Sequence, residues 1–233
     1  MDAKQVFVTG GTGYIGRRLV EMLAARGHAV RALVRPGSEE KAPRGCEPVI
    51  GHALDRATFA RFVRRGDTFV QLVGTPHPSP SKAAEFRSVD LVSVTESAAA
   101  AREAGAAHFV YVSVAQPAAA MRAYVEVRAR GEAIVRETGI AATFLRPWYV
   151  LGPGHRWPVV LLPLYRLLER VPATREAALR LGLVTLDDML AALVEAVENP
   201  PAGERIVAVP EIRGAGERIR SRSPSSATEM AGA

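Results

Sequence analysis

The sequence predicts an α/β protein, with a parallel sheet covered by helices on both faces. Three observations carry the prediction. Apolar runs of strand length alternate with amphipathic stretches of helical period. The runs are apolar almost throughout, as strands buried on both faces must be, whereas a half-buried strand would alternate. A glycine follows several of the helical stretches where a left-handed cap would end them.

In chain order, residues 5–9 read as a buried strand and 14–26 as a helix with Ile15, Leu19, Met22 and Leu23 on one face, closed by Gly27. Residues 28–34 form the next strand. A short strand at 48–50, a helix near 56–65 and a strand at 68–73 follow. An Ala-rich helix over 83–104 ends at Gly105 and feeds a strand at 109–113. A helix over 124–137 ends at Gly139 and feeds a strand at 142–145. Past Pro147 the pattern is broken by Pro153, Pro158, Pro163 and Pro172. Thr185-Leu186-Asp187-Asp188 then has the form of a capping box before a helix with Met189, Leu193 and Val197 on one stripe. Asn199-Pro200-Pro201 ends that helix, and residues 206–209 read as a last strand. The expected organisation is a core over 1–150, a small C-terminal cap with the last helix and strand over 151–213, and a flexible tail over 214–233. Crossovers are expected to be right-handed, but the order of strands does not follow from the pattern.

Composition narrows the function classes. The 233 residues carry a formal charge of +6, but the basic residues are scattered among Asp and Glu along helices, with no basic block and no interleaved aromatics. A solvated Arg-rich surface is expected, and no nucleic-acid partner. Cys46 is the single cysteine, which suits a reducing compartment, and no signal peptide is evident, so a cytoplasmic protein is expected. The apolar stretch near 159–162 is broken by Pro163 and Arg166 and is too short for a transmembrane segment. Burial over a cleft explains it more simply than a membrane surface or a subunit interface. The five histidines are dispersed and no pair stands at ligand spacing, so no metal site is expected. There is no G-x-S-x-G elbow for a Ser-His-Asp hydrolase.

The informative motif is Gly10-Gly11-Thr12-Gly13-Tyr14-Ile15-Gly16. It leaves the first strand and opens the first helix, the context in which a G-x-x-G-x-x-G pattern has a physical purpose. The first glycine allows a tight turn, the second lets backbone reach a pyrophosphate, and the third lets helix and sheet pack closely. The helix N-terminus offers N–H groups and partial positive charge, and Thr12 a hydroxyl. A Rossmann-like, doubly wound dinucleotide-binding fold is therefore expected. The second strand ends Ala32-Leu33-Val34-Arg35, without the carboxylate that would hold ribose hydroxyls. Arg35, assisted by Arg31 and Ser38, suits a 2′-phosphate, so NADP(H) is expected in preference to NAD(H).

These residues resemble the atypical, NmrA-like branch of the short-chain dehydrogenase/reductases, over roughly residues 4–213. The resemblance implies cofactor contacts at Leu54 and Asp55 beside the adenine, at Leu72, Val73 and Gly74 beside the ribose, and at Pro147 near the nicotinamide. It implies a catalytic Ser113 at the end of the fifth strand and a catalytic Tyr124. The family pattern is Tyr-x-x-x-Lys, and here Arg128 replaces the lysine. Arg128 keeps the charge and shares a helix face with Tyr124, but its fork is bulkier. By the resemblance, Ser113 polarises a carbonyl, Tyr124 donates the proton and Arg128 anchors the ribose. The implied function is an NADP(H)-dependent oxidoreductase acting on a small carbonyl, hydroxyl or enone. The alternative is a catalytically weak redox sensor, regulator or assembly factor. A monomer or homodimer fits either. His77 touches substrate or is incidental to a Pro-rich loop. Trp148, Tyr149, His155 and Trp157 line an apolar pocket or form the core of the cap.

Overall fold

Phenylalanine and valine alternate along the inner strands, and the two faces of the sheet sort them. The computed structural model describes residues 2–118, 121–153 and 172–222. In β1 (Gln5–Thr9), Val6 and Val8 join the core on one side and Phe7 the core on the other. Strands β4 (Thr68–Gln71), β5 (His108–Val112) and β6 (Ala141–Arg146) divide Val70 from Phe69, Val110 from Phe109 and Leu145 from Phe144 in the same way. Both faces are buried, which is why the strands read as continuous apolar runs.

The parallel register sets Phe7 beside Phe69 and Phe69 beside Phe109, with ring centroids 5.3 and 5.2 Å apart. Over this aromatic row lies α2 (Val92–Ala104), whose Val94, Ala98 and Ala101 are buried. Small side chains on the helix let it approach a layer of large ones. The opposite face is covered by α1 (Tyr14–Ala25) and α5 (Leu186–Glu198), through Leu19, Val20, Leu23, Met189, Leu193 and Val197. Thr185 and Asp188 close both halves of the expected capping box at the start of α5.

The sheet has seven parallel strands in the order β3-β2-β1-β4-β5-β6-β9, with β2 at Ala29–Val34, β3 at Glu47–Ile50 and β9 at Glu204–Ala208. The chain runs outward from β1 to β3 and returns at β4. The carboxyl ends of β1 and β4 therefore flank the topological switch point, where open sheets bind ligands. A separate parallel pair joins β7 (Tyr149–Leu151) to β8 (Leu183–Thr185). Helix α3 (Arg122–Glu137) links β5 to β6, and α4 (Pro172–Arg180) precedes β8.

Three local expectations are corrected. Residues 56–65 form two single 3₁₀ turns, Arg56–Thr58 and Ala60–Phe62, because the Asp55 carboxylate accepts from the Ala57 N–H and closes the first turn locally. The long helix before Gly105 contains a π-turn, Phe86–Leu91, ahead of α2. The expected tail from Gly214 is helical through Arg222: α6 (Val209–Arg222) buries Ile212 and Ala215, and a Cβ on Gly216 would overlap the Asp188 carboxylate of α5. Its glycines concealed a helix that tertiary packing holds. Residues 223–233 lie outside the described residues. No helix among the described residues is long and apolar enough to cross a membrane.

His108 opens β5 buried, its Nε2 2.9 Å from the Thr143 hydroxyl and its Nδ1 without a partner among the described residues. Burial, aided by the charge of Lys4, lowers its pKa from 6.5 to about 4. The unfolded chain thus binds a proton that the folded chain refuses. Stability is full above pH 6.5 and falls as the pH drops toward about 4, by on the order of 3 kcal/mol. Urea unfolding between neutral and mildly acidic pH checks this: His108→Gln should flatten the dependence, and an equally steep loss in that variant contradicts the assignment.

Candidate active site

The turn after β1 is shaped by what a side chain would strike. Gly10 has φ +75°, and a Cβ there would stand 3.0 Å from the backbone of Leu72 and Val73. The Gly13 N–H donates to the Gly10 carbonyl at 3.0 Å, and a Cβ on Gly16 would overlap that same carbonyl. Helix α1 thus begins directly against the end of β1. Gly13 is its N-cap, no side chain caps the first turn and no acidic residue lies in it. The result is an open helix N-terminus with its positive end facing the switch point. Thr12 stands half-buried beside it, and Tyr14 and Ile15 begin the helix.

Across the switch point, Leu72, Val73 and Gly74 follow β4, half-buried, and the Leu72 N–H donates to the Thr9 carbonyl at 3.2 Å. The glycine turn and this segment therefore share one crevice. Arg18 lies over the Tyr14 ring at 5.0 Å, and a Cβ on Gly152 would overlap the Tyr14 hydroxyl. Pro147 is buried and its carbonyl accepts from the Ala115 N–H. The segment after β6 thus returns to the same crevice.

Arg35 stands exposed just beyond β2 and forms no ion pair among the described residues, with the Ser38 N–H on its carbonyl. Arg31 is corrected. It is buried, ion-paired to Asp67 at 2.6 Å and donating to the Phe62 carbonyl, so it cannot assist at a surface phosphate. Leu54 is half-buried and Asp55 exposed, the latter's carboxylate occupied in its local cap.

Ser113 directly follows β5 with 2 % exposure, and its Oγ has no partner among the described residues. An orphaned buried hydroxyl is costly unless a ligand completes it. Tyr124 is half-buried in the first turns of α3, its ring 4.9 Å from Phe86. Arg128 lies on the same helix face, its guanidinium carbon 5.1 Å from the Tyr124 ring. That guanidinium is buried. One Nη donates to the Val112 carbonyl at 2.9 Å and reaches the Tyr111 hydroxyl at 3.4 Å; the other is ion-paired to Asp90 at 2.7 Å. A Cβ on Gly74 would overlap it. Burial opposes its charge, but Tyr124, Tyr111 and Asp90 together raise its pKa above the ordinary arginine value.

Sequence reasoning missed Asp90. It is fully buried in the π-turn, taking Arg128 on one oxygen and the N–H and hydroxyl of Thr75 on the other, at 2.9 and 2.6 Å. It also missed Glu132, 1 % exposed on α3, which holds Arg146 through two hydrogen bonds and accepts from Gln116 and Arg136. The signal was present in both cases. Each carboxylate falls on an apolar helix stripe, with Phe86 and Val94 around Asp90 and Val135 beyond Glu132, and a buried carboxylate demands a cation.

His77 is exposed with φ 49° in the Pro-rich loop. Trp148 and Tyr149 are half-buried; His155, Trp157 and the stretch 159–170 lie outside the described residues. No group of His, Cys, Asp or Glu among the described residues is gathered to hold a metal.

The contact of Gly152 with Tyr14 makes a specific prediction. Gly152→Ala should displace the Tyr14 ring at the mouth of the cradle and weaken dinucleotide binding by about tenfold. Gly203→Ala, where a Cβ meets nothing within 4 Å, should leave binding unchanged. Fluorescence titration compares the two, and equal affinities would contradict the placement.

Comparison with known proteins agrees with this geometry. The model of an NAD(P)H-binding family matches residues 10–158. The chain is 28 % identical over 205 residues to a ceramide reductase of Caulobacter vibrioides, covering 87 % of this chain and 64 % of that one. The match thus spans less than two thirds of that relative's length. It is 30 % identical over 229 residues to a 3-diazoavenalumate denitrifying reductase of a Streptomyces species, covering 85 % of this chain and 74 % of that one. In fold it is similar to the Bordetella bronchiseptica enzyme WbmH solved in complex with NAD+, with a TM-score of 0.65 at 21 % identity, covering 89 % and 76 % of the two chains. The uncapped cradle, the glycines that a Cβ would close and the family match converge: the chain belongs to the NAD(P)H-binding family, with the Rossmann-like fold and the atypical short-chain reductase character that its sequence led us to expect.

Proposed function

We propose that the protein is an NADP(H)-dependent oxidoreductase that moves a hydride to or from a small carbonyl, hydroxyl or enone substrate. The observation that carries this reading is Ser113 Oγ, buried and unpartnered at the carboxyl end of β5, where a substrate oxygen would complete it. The naming of two relatives as reductases supports the reaction class.

In this reading the free backbone N–H groups that open α1, at Tyr14, Ile15 and Gly16, hold the diphosphate, with Thr12, Tyr14 and Ile15 around it. Leu54 and Asp55 stand at the adenine, Leu72, Val73 and Gly74 at the ribose, and Pro147 near the nicotinamide. The nicotinamide, when bound, supplies or accepts the hydride. Ser113 donates a hydrogen bond to the substrate oxygen and polarises it. Tyr124 gives that oxygen its proton as the carbonyl is reduced, and takes it back in the reverse direction. We read the protein as a cytoplasmic monomer or homodimer working on a small molecule, without a nucleic-acid partner.

One observation favours a second reading. Both Nη atoms of Arg128 are engaged by protein groups, so a lysine-like grip on the ribose is not available from them. A chain that binds the cofactor with little turnover, as a redox sensor, regulator or assembly factor, would tolerate this.

The NADP(H) preference rests on Arg35, exposed and without an ion pair among the described residues at the end of β2. Arg35→Ala should weaken NADPH by about tenfold to a hundredfold and NADH by much less; equal losses for both contradict a 2′-phosphate contact. Tyr124→Phe separates the two functional readings. Under the enzyme reading it should lower kcat for NADPH-dependent reduction of an aromatic aldehyde by at least about a hundredfold while leaving the cofactor Kd unchanged. A wild-type chain that binds NADPH and reduces no carbonyl from a broad aldehyde, ketone and enone panel supports the sensor instead.

A further inference from the structure

The pair formed by Asp90 and Arg128 sits where four parts of the fold meet. Asp90 comes from the π-turn, Arg128 from α3, Val112 and Tyr111 from β5, and Gly74 and Thr75 from the segment after β4. Each side of the pair is satisfied by geometry that leaves little freedom. The carboxylate accepts from Arg128, the Thr75 N–H and the Thr75 hydroxyl. The guanidinium gives one Nη to Asp90 and the other to Val112 and Tyr111, and its buried Nε has no partner among the described residues. Gly74 is small because Arg128 lies beneath its backbone. The π-turn widens the helix by one residue and so brings Asp90 onto the face that meets Arg128.

Two consequences follow. First, a guanidinium so engaged would have to break a buried ion pair to reach a ribose. Second, the cation beneath Tyr124 is partly cancelled by the carboxylate behind it, so the field and the packing at the Tyr124 ring depend on both residues. Phe86, four residues before Asp90 and on the same turn, also packs against that ring.

We propose that Asp90 and Arg128 together form a positioning pair for Tyr124, with Asp90 as an unrecognised member of the site, and that Arg128 acts through Tyr124 instead of gripping the cofactor. The proposal deepens the oxidoreductase reading and rests on it for the role of Tyr124, though the pair itself is independent of turnover.

The experiment uses the full chain and three forms: wild type, Asp90→Asn, and the double variant Asp90→Asn/Arg128→Gln, in which a neutral hydrogen-bonding pair replaces the charged one. NADPH affinity is read by fluorescence. The Tyr124 ring resonances are read from tyrosine-labelled protein and assigned by their absence in Tyr124→Phe. Both variants should bind NADPH within about twofold of wild type. Asp90→Asn should move the Tyr124 resonances, and the double variant should return them toward wild type, because the uncompensated cation has gone. A loss of NADPH affinity of about tenfold or more in the double variant overturns the proposal, since Arg128 then holds the cofactor. Tyr124 resonances that stay in place in Asp90→Asn overturn it as well. If Asp90→Asn does not fold, the double variant still decides the matter through NADPH affinity. Absence of carbonyl reduction in the wild type would count against the oxidoreductase reading alone, because neither readout here requires turnover.

Discussion

The structure depends on one close approach, that of α1 to the end of β1. The Gly10 carbonyl lies where a Cβ of residue 16 would be, so the helix can start there only with glycine at both positions. This constraint has three effects. It aims the first turn of α1 at the switch point between β1 and β4. It forbids a conventional side-chain cap, since Gly13 occupies the N-cap. It also brings the backbone of Leu72 and Val73 against Gly10, so the turn and the end of β4 become two walls of one crevice. A helix end left open in this way gives up the stability a side-chain cap would add, about a few tenths of a kcal/mol with glycine at the N-cap. That loss is understandable if an anion supplies the missing acceptors.

The rest of the site is organised around buried charges. Glu132 ties the end of β6 to α3 through Arg146 and reaches back to Gln116 after β5. Asp90 ties the segment after β4 to the same helix, one turn earlier, through Arg128. Helix α3 is therefore anchored at two successive turns, with Tyr124 one turn ahead of Arg128 and two ahead of Glu132. Buried ion pairs contribute little net stability when complete and cost much when half is removed. Their value here is fixed position, which proton transfer requires.

Much of the fold was legible because period and punctuation agree. Continuous apolar strands, helices of the right period and Gly27, Gly105 and Gly139 at left-handed closing positions point to one parallel sheet, and the positive φ at each of these glycines is observed. The glycine cradle was legible for the same reason: its spacing has meaning only between a strand and a helix. What was not legible depends on distance in sequence. Arg31 reads as a surface cation until Asp67 is brought beside it by the pairing of strands. Asp90 and Arg128 are 38 positions apart, and the π-turn that joins them leaves no local pattern. The final helix was hidden because Gly214 and Gly216 argue against helix locally, while close packing on α5 demands small residues at that point.

The central claim is that the amides opening α1 grip a dinucleotide diphosphate. Amide spectra of the isotope-labelled chain, recorded while NADPH is added, test it most directly. The account predicts that the N–H signals of residues 11–16 show the largest shifts and saturate together with those of Leu72, Val73 and Gly74. Saturable binding that leaves these signals in place would contradict it.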